Sequence, residues 1–160
     1  MRSRMSNPIE LVPEVAEVAG ALYKATGNGS VPRATMDLVG LRDGQIIGNT
    51  YVTIRQATIL RKAGEPEERI AAVASWRDAP YFTDAERAAL ALVEAVLLPS
   101  TDGERVPDEL YAQAAQHYDA NALVTLTAAI GQANFWNAFA LIGKPLPGMP
   151  PAETWTSNAK

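Results

Sequence analysis

Apolar residues recur at intervals of three and four along most of this chain, and that period constrains the fold more than any other feature. Val15, Val18, Ala19 and Leu22 form one such set. Ile54, Ala57 and Leu60 form a second, Ala89, Leu92, Val93, Val96 and Leu97 a third, and Leu123, Leu126 and Ile130 a fourth. Such spacing places side chains on one face of an α-helix. No segment alternates apolar and polar residues over a useful length, so strands are not expected. The chain reads as all-α.

Local punctuation marks the helix ends. Asn7 before Pro8 reads as a capped start with proline in the first turn. Thr83-Asp84-Ala85-Glu86 fits a capping box, in which Thr83 and Glu86 pair with each other's amides. Pro107 with Asp108 and Glu109 opens another helix, its acids at the positive dipole end. Asp119 suits the N-cap of the last long helix. Breaks fall at Gly27–Ser30, Gly64–Pro66, Asp78–Pro80, Pro99–Gly103 and after Gly143. The expected helices cover about 8–25, 32–46, 49–63, 67–76, 84–98, 108–117 and 120–142. Residues 1–144 read as one domain and residues 145–160 as a Pro-rich tail, either an extended arm or a disordered end. Trp155 favours an arm docked on a neighbouring subunit, because a free tail would leave it in water.

Composition excludes several function classes. A chain of 160 residues fits one domain with a real core. The formal net charge of −4, with basic residues scattered among acids, argues against nucleic acid as a partner. No run is long and uncharged enough to span a membrane. Met1-Arg2-Ser3-Arg4-Met5 has no apolar segment after its arginines, so a secretory signal is not expected and a cytoplasmic location is. There are no cysteines, so disulfides, iron–sulfur clusters and thiol catalysis are outside this chain's chemistry. The only histidine, His117, has no neighbouring ligands at metal-binding spacing. No metal and no cofactor are expected.

The segment Gln45-Ile46-Ile47-Gly48-Asn49-Thr50-Tyr51-Val52-Thr53-Ile54-Arg55-Gln56 resembles the active-site stretch of the AhpD-like alkylhydroperoxidases, in the carboxymuconolactone decarboxylase superfamily. That pattern is roughly Q-[IL]-N-G-C-x-x-C-x-x-x-H. Around it, Arg42–Ile46, Lys62–Glu65, Ser75–Thr83 with Glu86–Ala91, Val106–Asp108, Leu123–Ile130 and Asn134–Asn137 resemble further family blocks in order and spacing. The resemblance implies an AhpD-like domain of six to seven helices that forms homo-oligomers, trimers or hexamers. It also implies a proton relay of a carboxylate, a Cys pair and a histidine, with the first thiolate activated at a helix N-terminus.

The departures fall on the reactive atoms. Asn49 and Val52 stand where the family has cysteines, Gln56 where it has histidine, and Asp37 where it has the relay glutamate. Asparagine and valine have no redox chemistry, and a glutamine amide does not titrate. A dithiol peroxidase mechanism is therefore impossible with this chain alone.

Two readings of the site remain open from sequence. In one, Asn49 merely caps its helix, and Asp37 and Gln56 hydrogen-bond each other as a remnant of the relay. In the other, Asp37, Asn49 and Gln56 are catalytic positions, Tyr51, Val52 and Arg55 contact a small-molecule ligand, and Asp37 is a general base or clamp. Arg55 either neutralises Asp37 or binds an anion, and Arg42 is a second candidate clamp. Gly40, Gly44 and Gly48 recur every four residues, which points to a close helix crossing or a groove for a flat ligand; a helix breaking near Gly44 is the rival. Trp76 and Trp136 read as core residues with paired indole N–H groups. Asn134 and Asn137 are candidates for tying the last helix to the site helix. The expected function is a family scaffold without peroxidase activity, in a binding or structural role. The alternatives are a cysteine-independent lyase, decarboxylase or isomerase using Asp37 on a small carboxylated substrate, and a partner protein in a stress or redox complex.

Overall fold

A computed structural model describes residues 2–101 and 103–156. Among them the regular elements are helical, with no strand. α1 spans Pro8–Leu11 and α2 Pro13–Thr26. These replace the single helix expected over 8–25. Pro13 has no N–H and disfavours helical geometry at the residue before it, and Val12 accordingly sits at φ −130°, ψ 91°. α3 covers Arg33–Ile47, α4 Thr50–Lys62 and α5 Glu67–Ala71, which tightens into a 3₁₀ turn over Ala72–Ser75. α6 covers Asp84–Leu97, α7 Asp108–Ala115 and α8 Ala120–Gly143. The caps expected at Asn7, Asn49 and Asp119 are present, and Thr83 with Glu86 forms both bonds of the capping box.

α3 is the central element, packed against α4, α6 and α8. Leu38, Val39 and Leu41 on successive faces are all at most 1% exposed. A helix covered on several sides has no solvent stripe, which is why its sequence shows little amphipathic pattern. One core cluster joins Val39 to Val93, Tyr118 and Leu126; the other joins Leu38 and Leu41 to Leu60, Val73 and Leu90. Each fully buried leucine or valine contributes about 1.5–3 kcal/mol. α3 thus separates the two clusters and carries groups that face both.

The Gly40–Gly44 spacing serves close packing, and α3 runs unbroken through Gly44. A Cβ on Gly44 would lie 3.0 Å from the Thr53 amide and from Val52 Cγ1 of α4, and one on Gly40 would lie 2.7 Å from Gln56 Nε2. Gly48 instead ends α3 in the left-handed region, at φ 72°.

Residues 145–156 of the tail fold back on their own chain, and residues 157–160 lie outside the described residues. Leu146 N–H donates to Thr154 O at 2.9 Å, and Thr156 N–H donates to Ser3 Oγ at 3.0 Å. Gly143 makes room for this return, since a Cβ there would lie 2.6 Å from the Trp155 ring. Trp155 is half-buried against its own chain. No helix among the described residues is long and apolar enough to cross a membrane, and no group of three or more His, Asp and Glu among them is placed to hold a metal ion.

Candidate functional site

The left-handed Gly48 turns the chain sharply from α3 into α4, so that residue 49 starts a helix directly against the end of the previous one. Asn49 N–H donates to Gly44 O at 2.8 Å, and Asn49 Oδ1 accepts from Val52 N–H at 3.3 Å as the N-cap. Its other end reaches across the fold, where Nδ2 donates to Asn137 Oδ1 of α8 at 2.9 Å. Asn137 Nδ2 in turn donates to Asp43 Oδ1 of α3. All three side chains are buried. Asn49 is therefore fully engaged in a bridge that ties three helices together. Asn134, the other candidate for that tie, donates only to Ile130 O of its own helix.

Asp43 is the far end of this bridge. It is 0% exposed, and its Oδ2 has no partner. Burial pushes its carboxyl up to about 6, against the opposing pull of the Asn137 hydrogen bond. Sequence reasoning placed the important carboxylate at Asp37 and passed over Asp43, because nothing local in Arg42-Asp43-Gly44 reveals which acid the tertiary packing encloses.

Asp37 lies one and a half turns earlier on α3, on the wall of a different space. A cavity of about 490 Å³ opens between the Gly27–Pro32 loop, α3, α4 and α8. Asp37, Val52, Arg55 and Gln56 all line it, so four of the six expected site residues converge. Asn49 is not among the lining residues, and Tyr51 faces a neighbouring cavity of about 730 Å³. Tyr23, Val52, Arg55, Ile59 and Trp136 stand on the walls of both.

Several expected pairings are replaced by others. Asp37 Oδ2 accepts from Arg33 Nε at 3.0 Å, not from Gln56 or Arg55. This i,i+4 pair was legible in principle from its spacing. Arg55 makes no ion pair with any described residue. Arg42 is no ligand clamp: its guanidinium donates to Glu94 at 2.8 Å. Glu94 also accepts from Trp76 Nε1 at 2.9 Å and from Arg77, so this is a structural hub. Burial works against the charge of Glu94, but these donors outweigh it and hold its carboxyl below the usual range. His117 is exposed just beyond α7.

Two polar atoms on the cavity wall residues lack partners. Gln56 Oε1 is buried with no hydrogen bond, and so is Trp136 Nε1. The paired indole expected of both tryptophans holds for Trp76 and fails for Trp136. An unpaired buried donor or acceptor costs about 1–3 kcal/mol. One needs an acceptor, the other a donor.

Residues 13–95, which carry α2 through most of α6 and the whole of the 45–56 segment, match the carboxymuconolactone decarboxylase family. This chain belongs to that family. The curated relatives include the uncharacterized protein YdfG of Bacillus subtilis (strain 168), 35% identical over 133 residues that cover 82% of this chain and 88% of the relative. The uncharacterized protein YnjA of Escherichia coli (strain K12) is 40% identical over 83 residues, covering 52% of this chain and 43% of that protein. Among solved structures, a protein of unknown function from Agrobacterium tumefaciens, a candidate antioxidant defence protein AhpD, superposes with a TM-score of 0.82 at 26% identity; the match covers 93% of this chain and all of that one. The debrominase Bmp8 shares the fold, with a TM-score of 0.72 at 20% identity over 83% of this chain and 70% of its own. In this carboxymuconolactone decarboxylase-family chain, the AhpD-like all-helical scaffold is kept, and its α3–α4 junction carries Asn49, Val52 and Gln56.

Proposed function

We propose that this chain binds a small ligand in the 490 Å³ cavity and carries out no peroxidase chemistry. One observation carries this reading: an unpartnered acceptor, Gln56 Oε1, and an unpartnered donor, Trp136 Nε1, belong to side chains lining the same cavity. A ligand group that both donates and accepts, such as a hydroxyl, complements them. The cavity is within the size range of small-molecule sites. Asn49 is committed to capping α4 and bridging to Asn137, and the position supplies no nucleophile. Phenol is a suitable probe, because its hydroxyl has both functions. Gln56→Leu should weaken phenol binding without unfolding the protein. Robust turnover of an organic hydroperoxide with dithiothreitol or dihydrolipoamide would end the non-peroxidase reading; absence of any phenol binding would end the ligand reading.

A second reading, a lyase or isomerase on a small carboxylated substrate, draws on the juxtaposition of the buried Asp37 carboxylate with the unpaired Arg55 on one cavity. Asp37→Asn should abolish such an activity, and an unchanged rate would remove Asp37 from it. The same proposal includes self-association as a trimer or hexamer. Leu11, Val124 and Ile142 are 63%, 67% and 65% exposed, large apolar side chains that a partner surface would cover. Sedimentation equilibrium showing a monomer at micromolar concentration would exclude it.

A further inference from the structure

The larger cavity, of about 730 Å³, is a product of the tail's return. Met149, Pro150 and Trp155 supply one wall, and Ile9, Tyr51 and Phe139 supply others. Neither the tail nor α4 alone encloses it. Its lining is predominantly apolar and aromatic. Two charged residues line it, Arg55 and Lys62, both basic. They stand seven residues apart on α4, so they share one face, about 10 Å apart along the axis. Neither makes an ion pair with any described residue. No aspartate or glutamate lines the cavity, although the chain as a whole carries a formal charge of −4. An open, largely apolar groove edged by two solvent-exposed cations and no acid, on an acidic protein, suits an apolar body with a single anionic head.

We infer that this tail-walled groove binds an amphipathic monocarboxylate of medium chain length, its carboxylate at Arg55 and Lys62 and its hydrocarbon against Tyr51, Phe139, Met149 and Trp155. The site is distinct from the smaller cavity, because Gln56 and Asp37 do not line it, although Trp136 lines both. The two share the wall residues Tyr23, Val52, Arg55, Ile59 and Trp136.

The test is calorimetric titration of the full chain with hexanoate, octanoate and decanoate below their micellar concentrations, and with 1-octanol as the uncharged control. One site per chain is expected. Affinity should rise up to about fourfold per added methylene as apolar area is buried. Octanoate should bind more tightly than 1-octanol. Arg55→Gln and Lys62→Gln should each weaken octanoate about two- to fivefold, the range for exposed charge pairs, and leave 1-octanol unchanged. Arg61→Gln removes the same charge outside both cavities and should change nothing. Met149→Glu places an acid on the wall and should weaken octanoate further. Gln56→Leu should leave octanoate affinity intact while phenol binding falls, so failure of this site and of the smaller one are read separately. No octanoate binding, equal affinity for 1-octanol, or indifference to Lys62→Gln would overturn the inference. So would a dimer that Met149→Glu dissociates and octanoate does not affect, since that would give the face to a second copy of the chain.

Discussion

Asn49 and Asn137, 88 residues apart, are joined by a 2.9 Å hydrogen bond that fixes the start of α4 to the C-terminal half of α8. The bond matters because each amide has its other end engaged as well, Asn49 with the Val52 N–H and Asn137 with Asp43. Removing Asn137 breaks the chain at its centre and leaves a buried carboxylate with no donor. Asn137→Ala should therefore destabilise by about 2–3 kcal/mol, the upper part of the range for leaving a buried acceptor unsatisfied. Asn49→Ala, which loses a cap and one bridge bond, should cost about 1–2 kcal/mol. Urea denaturation at pH 7.5 checks the order; equal losses would show that Asp43 finds another partner.

Asp43 should make stability fall with rising pH. Its folded carboxyl titrates at about 6, above the unfolded value near 3.8, because burial disfavours the anion. The protonated form is thus favoured by folding. That contribution is complete below about pH 3.8 and is lost as pH rises through about 6. The loss amounts to roughly 2–3 kcal/mol by linkage. Asp43→Asn should remove this slope. Unfolding free energies of the two proteins between about pH 3.5 and about pH 7.5, which brackets the two titrations, test it, and parallel curves would contradict the assignment.

Glu94 should act in the opposite sense. Its folded carboxyl is held low by Trp76, Arg77 and Arg42 against the cost of burial, so its contribution is present above the unfolded carboxylate range and lost in acid. Glu94→Gln should flatten the acid limb of the stability profile. Glu94→Ala should cost about 3–5 kcal/mol at neutral pH, since it also strands the half-buried Arg42 and the Trp76 indole. Circular dichroism melts from pH 3 to pH 7 measure both.

Gly44→Ala and Gly40→Ala should differ although the residues sit one turn apart. At Gly44 the new methyl meets α4 backbone at 3.0 Å, which cannot move without separating the helices. About 1–3 kcal/mol of destabilisation is expected, the usual cost of overpacking. At Gly40 it meets the end of the Gln56 side chain, which can swing away. That variant should be near neutral in stability and should perturb phenol binding instead. Thermal melts and calorimetry separate the two outcomes, and a greater loss of stability at Gly40 would refute the packing account.

Much of the scaffold was readable from residue order. The capping box at Thr83–Glu86, the caps at Asn7, Asn49 and Asp119, and the end of α3 near Gly48 follow from local backbone chemistry, which acts within a turn or two. The break at Val12–Pro13 was missed, although it is equally local and the proline rule for the preceding residue predicts it. Asp37, Val52, Arg55 and Gln56 line one cavity, since spacings of three and four residues set Val52, Arg55 and Gln56 on one face of α4, beside α3.

What residue order alone settled was the helical plan, the family, and the absence of sulfur and imidazole from the α3–α4 junction. Which carboxylate is enclosed, which tryptophan lacks a partner, and where the tail goes were decided by contacts between residues up to 153 positions apart. Asp37 and Asp43 sit on the same helix and both are buried, but Asp37 pairs within α3 to Arg33, whereas Asp43 is bridged to Asn137 of α8 and keeps an unpartnered oxygen. Burial and long-range pairing depend on what lies across the gap in three dimensions, and a local pattern carries no information about that neighbour.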